Sequence, residues 1–373
     1  MTISPFLLAG VIGLVIAYFL TPAIQRMATH FRVLDHPGSR RIHLAPVPRL
    51  GGIAVYAAFV TAVVCPVDRP IRIAVEAHHF VVTIPHVVLI DRPILGMLLG
   101  ATMITLFGVL DDVRGVSPLI KLLGQVVSAA VVLPFGIGMD VLTNPLGGMF
   151  FVGPLGVVLT VAWIVALCNI MNLIDGVDGL AAGIATIAGG TVFVAAYQRG
   201  DVGTAILAAS LIGATLGFLP YNVNPARIFL GDTGSMLLGY ILATISVLGT
   251  YKSYTALSLL VPLVALGVPV ADTAFAIARR WRTRRPIFQA DAEHLHHHLL
   301  RRGLTQRQTA AVLYLVTATL GAGALVLSGI HRFSLIVVFG LLLAVLALGA
   351  RRMGLLAPVR SPAASGGAGA PGQ

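Results

Sequence analysis

The first residues in the chain with a spacing suited to chemistry are two adjacent carboxylates followed by a lysine. Asp111 and Asp112 lie in the stretch GVLDDVRGVSPLIK, which Lys121 ends. Adjacent carboxylates repel one another unless a cation lies nearby, and either Mg2+ or an ammonium group meets that need. Lys121 is one of two lysines among 25 basic residues, and its ammonium is a compact charge suited to phosphate. The set indicates a phosphate site, with a solvated helix end as the alternative.

A second polar set occurs in NIMNLIDGVDGLAAG, where every third residue carries an amide or a carboxylate. These residues are Asn169, Asn172, Asp175 and Asp178. If the stretch is helical, the spacing predicts one polar stripe. Two acids and two amides on one stripe suit oxygen ligation of Mg2+ and hydrogen bonding to a nucleoside. A purely structural membrane helix has little reason to carry such a stripe.

A third stretch, YNVNPARIFLGDTGS, combines an acid with an aromatic residue just before an apolar segment. Asp232 is a further candidate carboxylate, although Asp232 or Thr233 would equally serve as the cap of the following helix. Phe229 suits stacking on a nucleic-acid base or anchoring at the membrane interface. The residues alone leave both pairs of alternatives open.

A fourth set is the arginine-rich and histidine-rich region 279–302, which reads RRWRTRRP and then DAEHLHHHLLRRG. His294, His296, His297 and His298 crowd into five residues, and zinc is the first metal that such a cluster suggests. No cysteine is near, however, and arginine beside histidine is more typical of a diphosphate-binding surface. An alternative for the arginines is a cytoplasmic anchor of the membrane helix.

The elements that must position these residues are membrane helices, because 57% of the residues are hydrophobic, 10% are charged and the mean hydropathy is +0.93. A soluble domain carries about 25% charged residues. We predict an all-α integral membrane protein with about eleven spanning helices. Their approximate cores are 5–28, 51–66, 94–110, 122–139, 151–168, 179–198, 202–220, 233–250, 255–278, 309–328 and 333–350. The first is expected to be a retained helix, since no small-residue cleavage site follows it.

The distribution of basic residues predicts the orientation of these helices. One set of alternating loops carries 19 lysines and arginines and the other set carries 6, so the first set is expected in the cytoplasm, with the N-terminus outside and the C-terminus inside. The candidate acids, which were not used in that assignment, fall on the cytoplasmic side as well. The active-site loops are then 29–50, 111–121, 169–178, 221–232 and 279–308.

Two further segments complete the predicted organisation. The outer segment 67–93 alternates β-branched residues with others, which is typical of a small hairpin. Residues 1–350 are expected to form one polytopic domain, and 351–373, rich in Ser, Ala, Gly and Pro, to form a disordered cytoplasmic tail.

Taken together, the motifs resemble one integral-membrane superfamily, the polyprenyl-phosphate N-acetylhexosamine-1-phosphate transferases of the glycosyltransferase family 4 type. The shared pieces, in the family's order, are DHPGSRRIHLAPVPRLGG, LDD with a downstream lysine, NxxNxxDGxDGLAAG, PARIFLGDTGS, PVADTAFAIARR and HLHHHLLRRG. The resemblance implies transfer of a sugar-1-phosphate from a UDP-sugar to undecaprenyl or decaprenyl phosphate, with release of UMP. It also implies Mg2+, for which Mn2+ is a possible substitute.

The resemblance also implies roles for individual residues. Asp111, Asp112 and Lys121 would be catalytic, the acids near the lipid phosphate and the lysine holding phosphate. Asp175 and Asp232 would hold the metal, with Asn172 beside them. The nucleotide-sugar-binding residues would be Asn172, Asp178, Asn222, Phe229, His294, His296, His297, Arg279 and Arg280.

The same resemblance narrows the substrate and leaves two rivals. The opening LDHPxxRRxHxxPxPRxGG and the motif HxHHxLxxxG look more like the branch that uses UDP-N-acetylglucosamine in the first membrane step of envelope polysaccharide synthesis. Phospho-N-acetylmuramoyl-pentapeptide transfer in peptidoglycan synthesis is the alternative enzyme, but loop 29–50 lacks the lysine usual in that branch. A membrane transporter is the alternative of another class.

The remaining expectations concern location and partners. We expect the protein in the inner (plasma) membrane with its active site facing the cytoplasm, bound to a UDP-sugar and a polyprenyl phosphate. Because a net charge of +11 in a membrane protein reports orientation, no nucleic-acid partner is expected. A homodimer is expected by analogy with the family.

Overall fold

The computed structural model describes most of the chain up to residue 328. The described residues are 5–35, 46–65, 71–75, 80–84, 91–139, 141–143, 149–253, 263–264, 266–282 and 294–328. All of them belong to one compact unit, Met1–Ile330. The predicted span at 333–350, the predicted tail 351–373 and parts of the predicted active-site loops 29–50 and 279–308 lie outside the described residues.

The described residues are overwhelmingly helical, which confirms the predicted fold class. The helices are α1 (Pro5–His30), α2 (Gly51–Val64), α3 (Arg92–Arg114), α4 (Pro118–Ala130), α5 (Leu155–Ile174), α6 (Leu180–Gln198), α7 (Val202–Asn222), α8 (Gly231–Ser253), α9 (Gly267–Arg282), α10 (Leu295–Arg301) and α11 (Gln306–Ser328). Within the described residues, eight helical segments are long and apolar enough to cross a membrane. The chain is therefore a multi-pass membrane protein.

Several predicted span boundaries differ from the structure, including that of 151–168, which is the helix Leu155–Ile174. The helix predicted over 122–139 begins earlier, at Pro118, because the Ser117 hydroxyl accepts a hydrogen bond from the Ile120 amide and caps it. The helix predicted over 51–66 has 14 residues, fewer than the roughly 20 that a bilayer core requires. Of the span predicted over 255–278, the described residues are 263–264 and 266–278, and α9 begins at Gly267.

Short antiparallel ladders occur in three of the connections. They pair β1 (Leu34–Asp35) with β2 (Val47–Pro48), β3 (Ile71–Val75) with β4 (Phe80–Ile84), and β5 (Val141–Thr143) with β6 (Met149–Phe151). In the second ladder Val75 lies opposite Phe80. The hairpin predicted in segment 67–93 is thus confirmed.

The centre of the bundle is α8, which is enclosed by the other helices. In its spanning window 89% of the positions are buried, against 28% for α1. It packs against α2, α3 and α5, whereas α1 packs against α2 and α7. Because α8 is central, the residues at its first turn lie inside the protein, where the neighbouring helices can reach them.

The helix ends that carry the candidate residues come together on one side of the bundle. Helices α3, α5 and α7 end there, and α4, α8 and α11 begin there. Successive membrane helices alternate in direction, so the end of one helix and the start of the next are expected on the same side. The bundle therefore gathers motifs that are up to about two hundred residues apart in the sequence.

Candidate active site

The ammonium group of Lys121 lies at the centre of a partly buried cluster of polar side chains. Its Nζ is 3.1 Å from Oδ2 of Asp111 and 2.8 Å from Oδ2 of Asp232, and it donates to Oδ1 of Asn172 at 3.1 Å. The lysine side chain is 19% exposed, so its three bonds are only partly screened by water. Two carboxylates share one cation, which leaves the cluster with excess negative charge.

Asp112 points away from that lysine and binds the first turn of α8. Its Oδ1 accepts the backbone N–H of Asp232 at 3.0 Å, and its Oδ2 accepts the N–H and the hydroxyl of Thr233 at 2.9 and 2.6 Å. A helix begins with free N–H groups that need acceptors, and Asp112 supplies them from another helix. Neither Asp232 nor Thr233 is therefore needed as the cap, which frees the Asp232 carboxylate for the cavity.

Gly231 makes that approach possible. Its φ is +73°, and a Cβ there would lie 2.5 Å from Oδ2 of Asp112. Any other residue would strain the backbone and displace the capping carboxylate. The glycine before Asp232 is thus required by the contact between α3 and α8.

Asn172 joins the lysine cluster to the first turns of α8. Its Nδ2 donates to Oδ1 of Asp232 and to the Ser235 hydroxyl, the latter at 2.9 Å. One turn deeper, Asn169 and Gln125 pair their amides, with Asn169 Nδ2 at 2.6 Å from Gln125 Oε1. The two amide layers fix α4, α5 and α8 relative to one another.

The polar stripe predicted over 169–178 ends halfway, because α5 stops at Ile174. Asn169 and Asn172 lie on the helix, whereas Asp175 and Asp178 lie in the connection to α6. Asp175 has ψ +39°, which is not helical, and this turn takes its side chain into the cavity. The three-residue spacing therefore predicts correctly that Asn169 and Asn172 share a helix, but it does not predict the positions of the two acids.

Desolvation holds the pKa of Asp175 well above its usual range, and the neighbouring carboxylates of Asp232, Asp112 and Asp178 raise it further. The side chain lines the cavity. A carboxylate in such surroundings gains from a nearby cation. Asp175 thus marks the position where the site needs additional positive charge.

Asp178, Asn222 and Phe229 are held by the loop that joins α7 to α8. Oδ2 of Asp178 accepts hydrogen bonds from Asn224 Nδ2 at 2.9 Å and from the Ala226 N–H at 3.0 Å. Asn222 donates from Nδ2 to the carbonyl of Ile228 at 3.0 Å, while its buried Oδ1 has no partner among the described residues. That acceptor remains for a ligand.

Phe229 is fixed by its backbone. Its N–H donates to the carbonyl of Pro48 at 2.8 Å, and its carbonyl accepts the N–H of Gly51 at 3.0 Å. The half-buried ring lines the cavity. The segment that precedes α2 thereby sets the position of the aromatic side chain.

These groups surround a cavity of about 340 Å³. A volume of that order suits a small molecule. Its walls are predominantly polar, and among the described residues the lining consists of Asp35, Arg49, Asp112, Asn172, Asp175, Gly176, Val177, Asp178, Asn222, Phe229, Gly231, Asp232, His297 and Gln306. Arg49 forms an ion pair with Asp35 and contributes positive charge to the wall.

The histidines do not all reach this cavity. Among the described residues His297 lines it, whereas His294 and His296 are 5% and 2% exposed and lie outside its lining. Burial lowers the pKa of His296 to about 3 and, together with the other ionisable groups nearby, lowers that of His297. Both rings are therefore neutral at pH 7. The side chain of Arg279 lies outside the described residues, and Arg280 is not among the lining.

Known proteins match this chain along most of its length. The family model described as glycosyl transferase family 4 matches residues 94–250. A probable undecaprenyl-phosphate N-acetylglucosaminyl 1-phosphate transferase of Bacillus subtilis is 37% identical over 90% of this chain and 88% of its own length. A decaprenyl-phosphate N-acetylglucosaminephosphotransferase of Mycobacterium tuberculosis is 33% identical over 85% of this chain and 81% of its own.

The chain belongs to glycosyl transferase family 4. A more distant relative, the undecaprenyl-phosphate alpha-N-acetylglucosaminyl 1-phosphate transferase of Escherichia coli K12, is 27% identical over 80% of this chain. The curated relatives are phosphoglycosyltransferases, and this family 4 chain is accordingly a membrane phosphoglycosyltransferase. Neither rival suggested by the sequence is favoured by these relatives.

The oxygen atoms of this family 4 site fit a magnesium ion only in part. Among the described residues, no group of three or more His, Cys, Asp and Glu side chains is arranged to hold a metal. Mg2+ commonly takes one or two carboxylates and completes its shell with water and substrate phosphates. Asp175 and Asp232 supply such carboxylates, and the negative charge around Asp175 is the feature that fits a divalent cation.

Some residues at or beside the site were not among those predicted from the sequence. Gln306, at the start of α11, lines the cavity and accepts the N–H of Asp178 through Oε1 at 3.4 Å. Asp272 lies outside the cavity lining and forms a hydrogen bond with Nδ1 of His294. A glutamine at a helix start carries no pattern that predicts a binding role, but Asp272 lies within PVADT, a motif that the resemblance had already marked.

Proposed function

We propose that this chain transfers N-acetylglucosamine-1-phosphate from UDP-N-acetylglucosamine to a polyprenyl phosphate and releases UMP. The observation that carries the proposal is the Lys121 cluster, of which Asn172 and Asp232 line a polar cavity that is also lined by Phe229 and Asp175. An ammonium suits phosphate and an aromatic ring suits a base. The names of the curated relatives support the sugar and the lipid class.

In this reaction an oxygen of the lipid phosphate bonds to the phosphorus that carries the sugar. The bond from that phosphorus to the bridging oxygen breaks, and UMP leaves with the bond's electron pair. The acceptor phosphate is already anionic near neutral pH, so a strong general base is not obligatory. As in other phosphoryl transfers, positioning and charge stabilisation supply most of the catalysis.

The residues of the chain divide this work. Lys121 neutralises charge that develops on the phosphate oxygens, while Asp111 and Asn172 hold its ammonium in place. Phe229 stacks on uracil, and the free acceptor of Asn222 suits the imide N–H of the same base. Asp175 and Asp232 would hold Mg2+, which would supply positive charge to the diphosphate.

Asp112 contributes through α8. Three donors already occupy its carboxylate, which leaves it poorly suited to act as a base or a nucleophile. Its function is to hold Asp232 in position. Asp111 accepts the Val116 N–H through Oδ1 at 2.9 Å and pairs with Lys121 through Oδ2. It is the acid of the pair that we assign to the acceptor phosphate, either as a positioning group or as a nucleophile in a two-step route.

We further propose that the site faces the cytoplasm of a cell whose plasma membrane contains the enzyme. The excess of basic residues in the loops on this side supports that orientation. A cytoplasmic site also gives access to a charged nucleotide sugar, which does not cross a bilayer. A homodimer is expected from family analogy, and light scattering in detergent would measure it.

The test is transfer by the purified protein in nanodiscs with Mg2+ and polyprenyl phosphate. We expect UMP release with UDP-N-acetylglucosamine and little with UDP-N-acetylmuramoyl-pentapeptide. Absence of UMP release with every UDP-sugar would contradict the proposal, and preference for the pentapeptide would reassign the substrate. Lys252→Ala is the matched control for Lys121→Ala, since these are the only two lysines and Lys252 lies at the opposite end of α8 from Asp232.

A transport function predicts a different arrangement. Transporters place their charged sites near the middle of the bilayer, often at broken helices, whereas these acids gather at helix ends on one side. Uptake of labelled UDP-sugar into proteoliposomes without UMP release would be the result that favours transport.

A further inference from the structure

Asp272 in α9 binds the region of the histidine motif without reaching the cavity. Its Oδ2 is 3.0 Å from Nδ1 of His294, and its Oδ1 accepts the backbone N–H of Leu295 at 2.8 Å. The two side chains are 11% and 6% exposed. A carboxylate that is largely shielded from water and makes two bonds to one segment fixes that segment strongly.

The first bond determines which ring nitrogen of His294 carries a proton. An ionised carboxylate is an acceptor only, so Nδ1 must be the donor, and the neutral ring then presents Nε2 as an acceptor. The second bond satisfies one of the free N–H groups at the start of α10. His294 occupies the N-cap position, but its side chain makes no hydrogen bond to the helix. Asp272 therefore supplies the capping acceptor from α9.

The other histidines continue from His294 towards the cavity. The rings of His294 and His296 are nearly parallel, with centroids 5.8 Å apart and an interplanar angle of 6°. The rings of His296 and His297 have centroids 4.2 Å apart. His297 lines the cavity. The second pair is tilted by 44°, so the three rings form a partly tilted stack that begins at Asp272 and ends at the cavity.

The middle of this stack is fixed from the opposite side by a glycine. A Cβ on Gly176 would lie 2.7 Å from Nε2 of His296, so only glycine admits the ring at this distance. Gly176 follows Asp175 directly and also lines the cavity. The stack is thus held between α9 and the connection that carries the candidate metal ligand.

We propose that Asp272 is a positioning residue for the nucleotide sugar. It fixes the Nδ1–H form of His294 and the start of α10, and through the ring stack it sets the position of His297 in the cavity. The kinetic part of this inference rests on the proposed function, whereas the protonation of His294 does not depend on it.

Asp272→Asn is the informative variant because it preserves size and the acceptor for Leu295 but turns a donor towards His294. The proton of His294 must then move to Nε2. We expect the 15N spectrum of the histidine-labelled full chain in nanodiscs to show this transfer at one histidine, assigned by its loss in His294→Gln. We also expect KM for UDP-N-acetylglucosamine to rise roughly 10-fold, with KM for polyprenyl phosphate unchanged.

Two further variants separate positioning from general stability. If Asp272 acts through His294, the double variant Asp272→Asn, His294→Gln raises KM no more than the worse single variant. Asp272→Glu restores a carboxylate and is expected to recover part of the affinity and the Nδ1 proton. Asp201→Asn is the matched control, because Asp201 caps α7 through the Thr204 N–H at 3.2 Å, about 30 Å along the helix from Asn222.

The outcomes are distinguishable. Retention of the Nδ1 proton and of KM in Asp272→Asn would overturn the inference. Equal losses for the nucleotide sugar and the lipid, together with a drop in Tm as large as that of Asp201→Asn or larger, would also overturn it and make Asp272 a structural cap. If the wild-type chain releases no UMP at all, the proposed function fails, and the 15N spectrum still decides the tautomer.

Discussion

Asp112 and Thr233, which are 121 residues apart in the sequence, are joined by two hydrogen bonds through the same carboxylate oxygen. The contact ties the end of α3 to the start of α8, beside the carboxylate of Asp232. Adjacent acids in one motif thereby have different functions. Asp111 faces the lysine, and Asp112 positions the helix that carries the next acid.

Asp112→Asn is expected to lose both stability and activity. The amide places a donor against N–H groups that need an acceptor, and loss of a buried cap of this kind costs about 1–3 kcal/mol. We expect a lower Tm in detergent together with a loss of turnover of at least about tenfold. Asp111→Asn, at the neighbouring position, should lose turnover with a smaller change in Tm. Equal changes in Tm for the two variants would contradict the separate functions.

Lys121→Arg is expected to be nearly as inactive as Lys121→Ala. The ammonium fits between three oxygens at 2.8–3.1 Å, whereas a planar guanidinium needs a different geometry. Loss of a preorganised charge of this type reduces kcat by roughly 100–1,000-fold. Steady-state UMP release measures the effect, with Lys252→Ala as the unaffected control. An active Lys121→Arg would show that any cation suffices.

Asp175→Asn is expected to raise the Mg2+ concentration needed for half-maximal activity. The neutral amide removes the charge that neighbouring carboxylates make costly, so the fold tolerates it while the metal loses a ligand. We expect a shift of at least about tenfold, measured by titrating Mg2+ into the transfer assay. Asp201→Asn is the control for a general charge effect. An unchanged Mg2+ requirement would remove Asp175 from the metal site.

Phe229→Leu is expected to raise KM for the UDP-sugar with kcat largely unchanged. Base stacking contributes about 1–3 kcal/mol, and uniform binding of substrate and transition state affects KM alone. Because the backbone of Phe229 carries the bonds to the first loop, the substitution leaves those bonds intact. Phe229→Trp should retain the affinity. A change confined to KM for the lipid would identify Phe229 as a membrane contact.

The stability of the chain is expected to fall as the pH drops from about 6.5 towards 3, in part through His296. Its folded pKa of about 3 lies below the value of about 6.5 in an unfolded chain, so the unfolded state binds the extra proton in that window. One such proton gives a slope of up to about 1.4 kcal/mol per pH unit. His296→Gln should reduce the pH dependence of Tm between pH 6.5 and pH 4. An unchanged dependence would show that His296 is accessible to protons in the folded state.

The sequence identifies the fold class and the candidate residues because hydropathy and motif spacing are local properties. It fails where partners come from distant segments. Asp175 and Asp178 continue the three-residue spacing of Asn172. The helix nevertheless ends at Ile174, so the two acids lie in the following connection and not on the helical stripe. Nothing within five residues of Asp112 indicates that its carboxylate oxygens accept hydrogen bonds from the first turn of α8.

The same limit applies to the histidine motif. Four histidines in five residues suggest a common role, but the environment that separates them comes from α9 and from Gly176. Only the structure therefore shows that His297 lines the cavity and that His294 and His296 lie behind it. Asp272 is visible in the sequence as part of a motif, and its chemistry becomes apparent through its partner.

Two stretches of the cavity wall are formed by glycines whose neighbours leave no space for a side chain. Gly231 abuts the carboxylate of Asp112, and Gly176 abuts the ring of His296. A single substitution at either position would damage the enzyme before it reshaped the wall. An inhibitor that rests on these two glycines would therefore leave few single substitutions able to confer resistance at its contact surface.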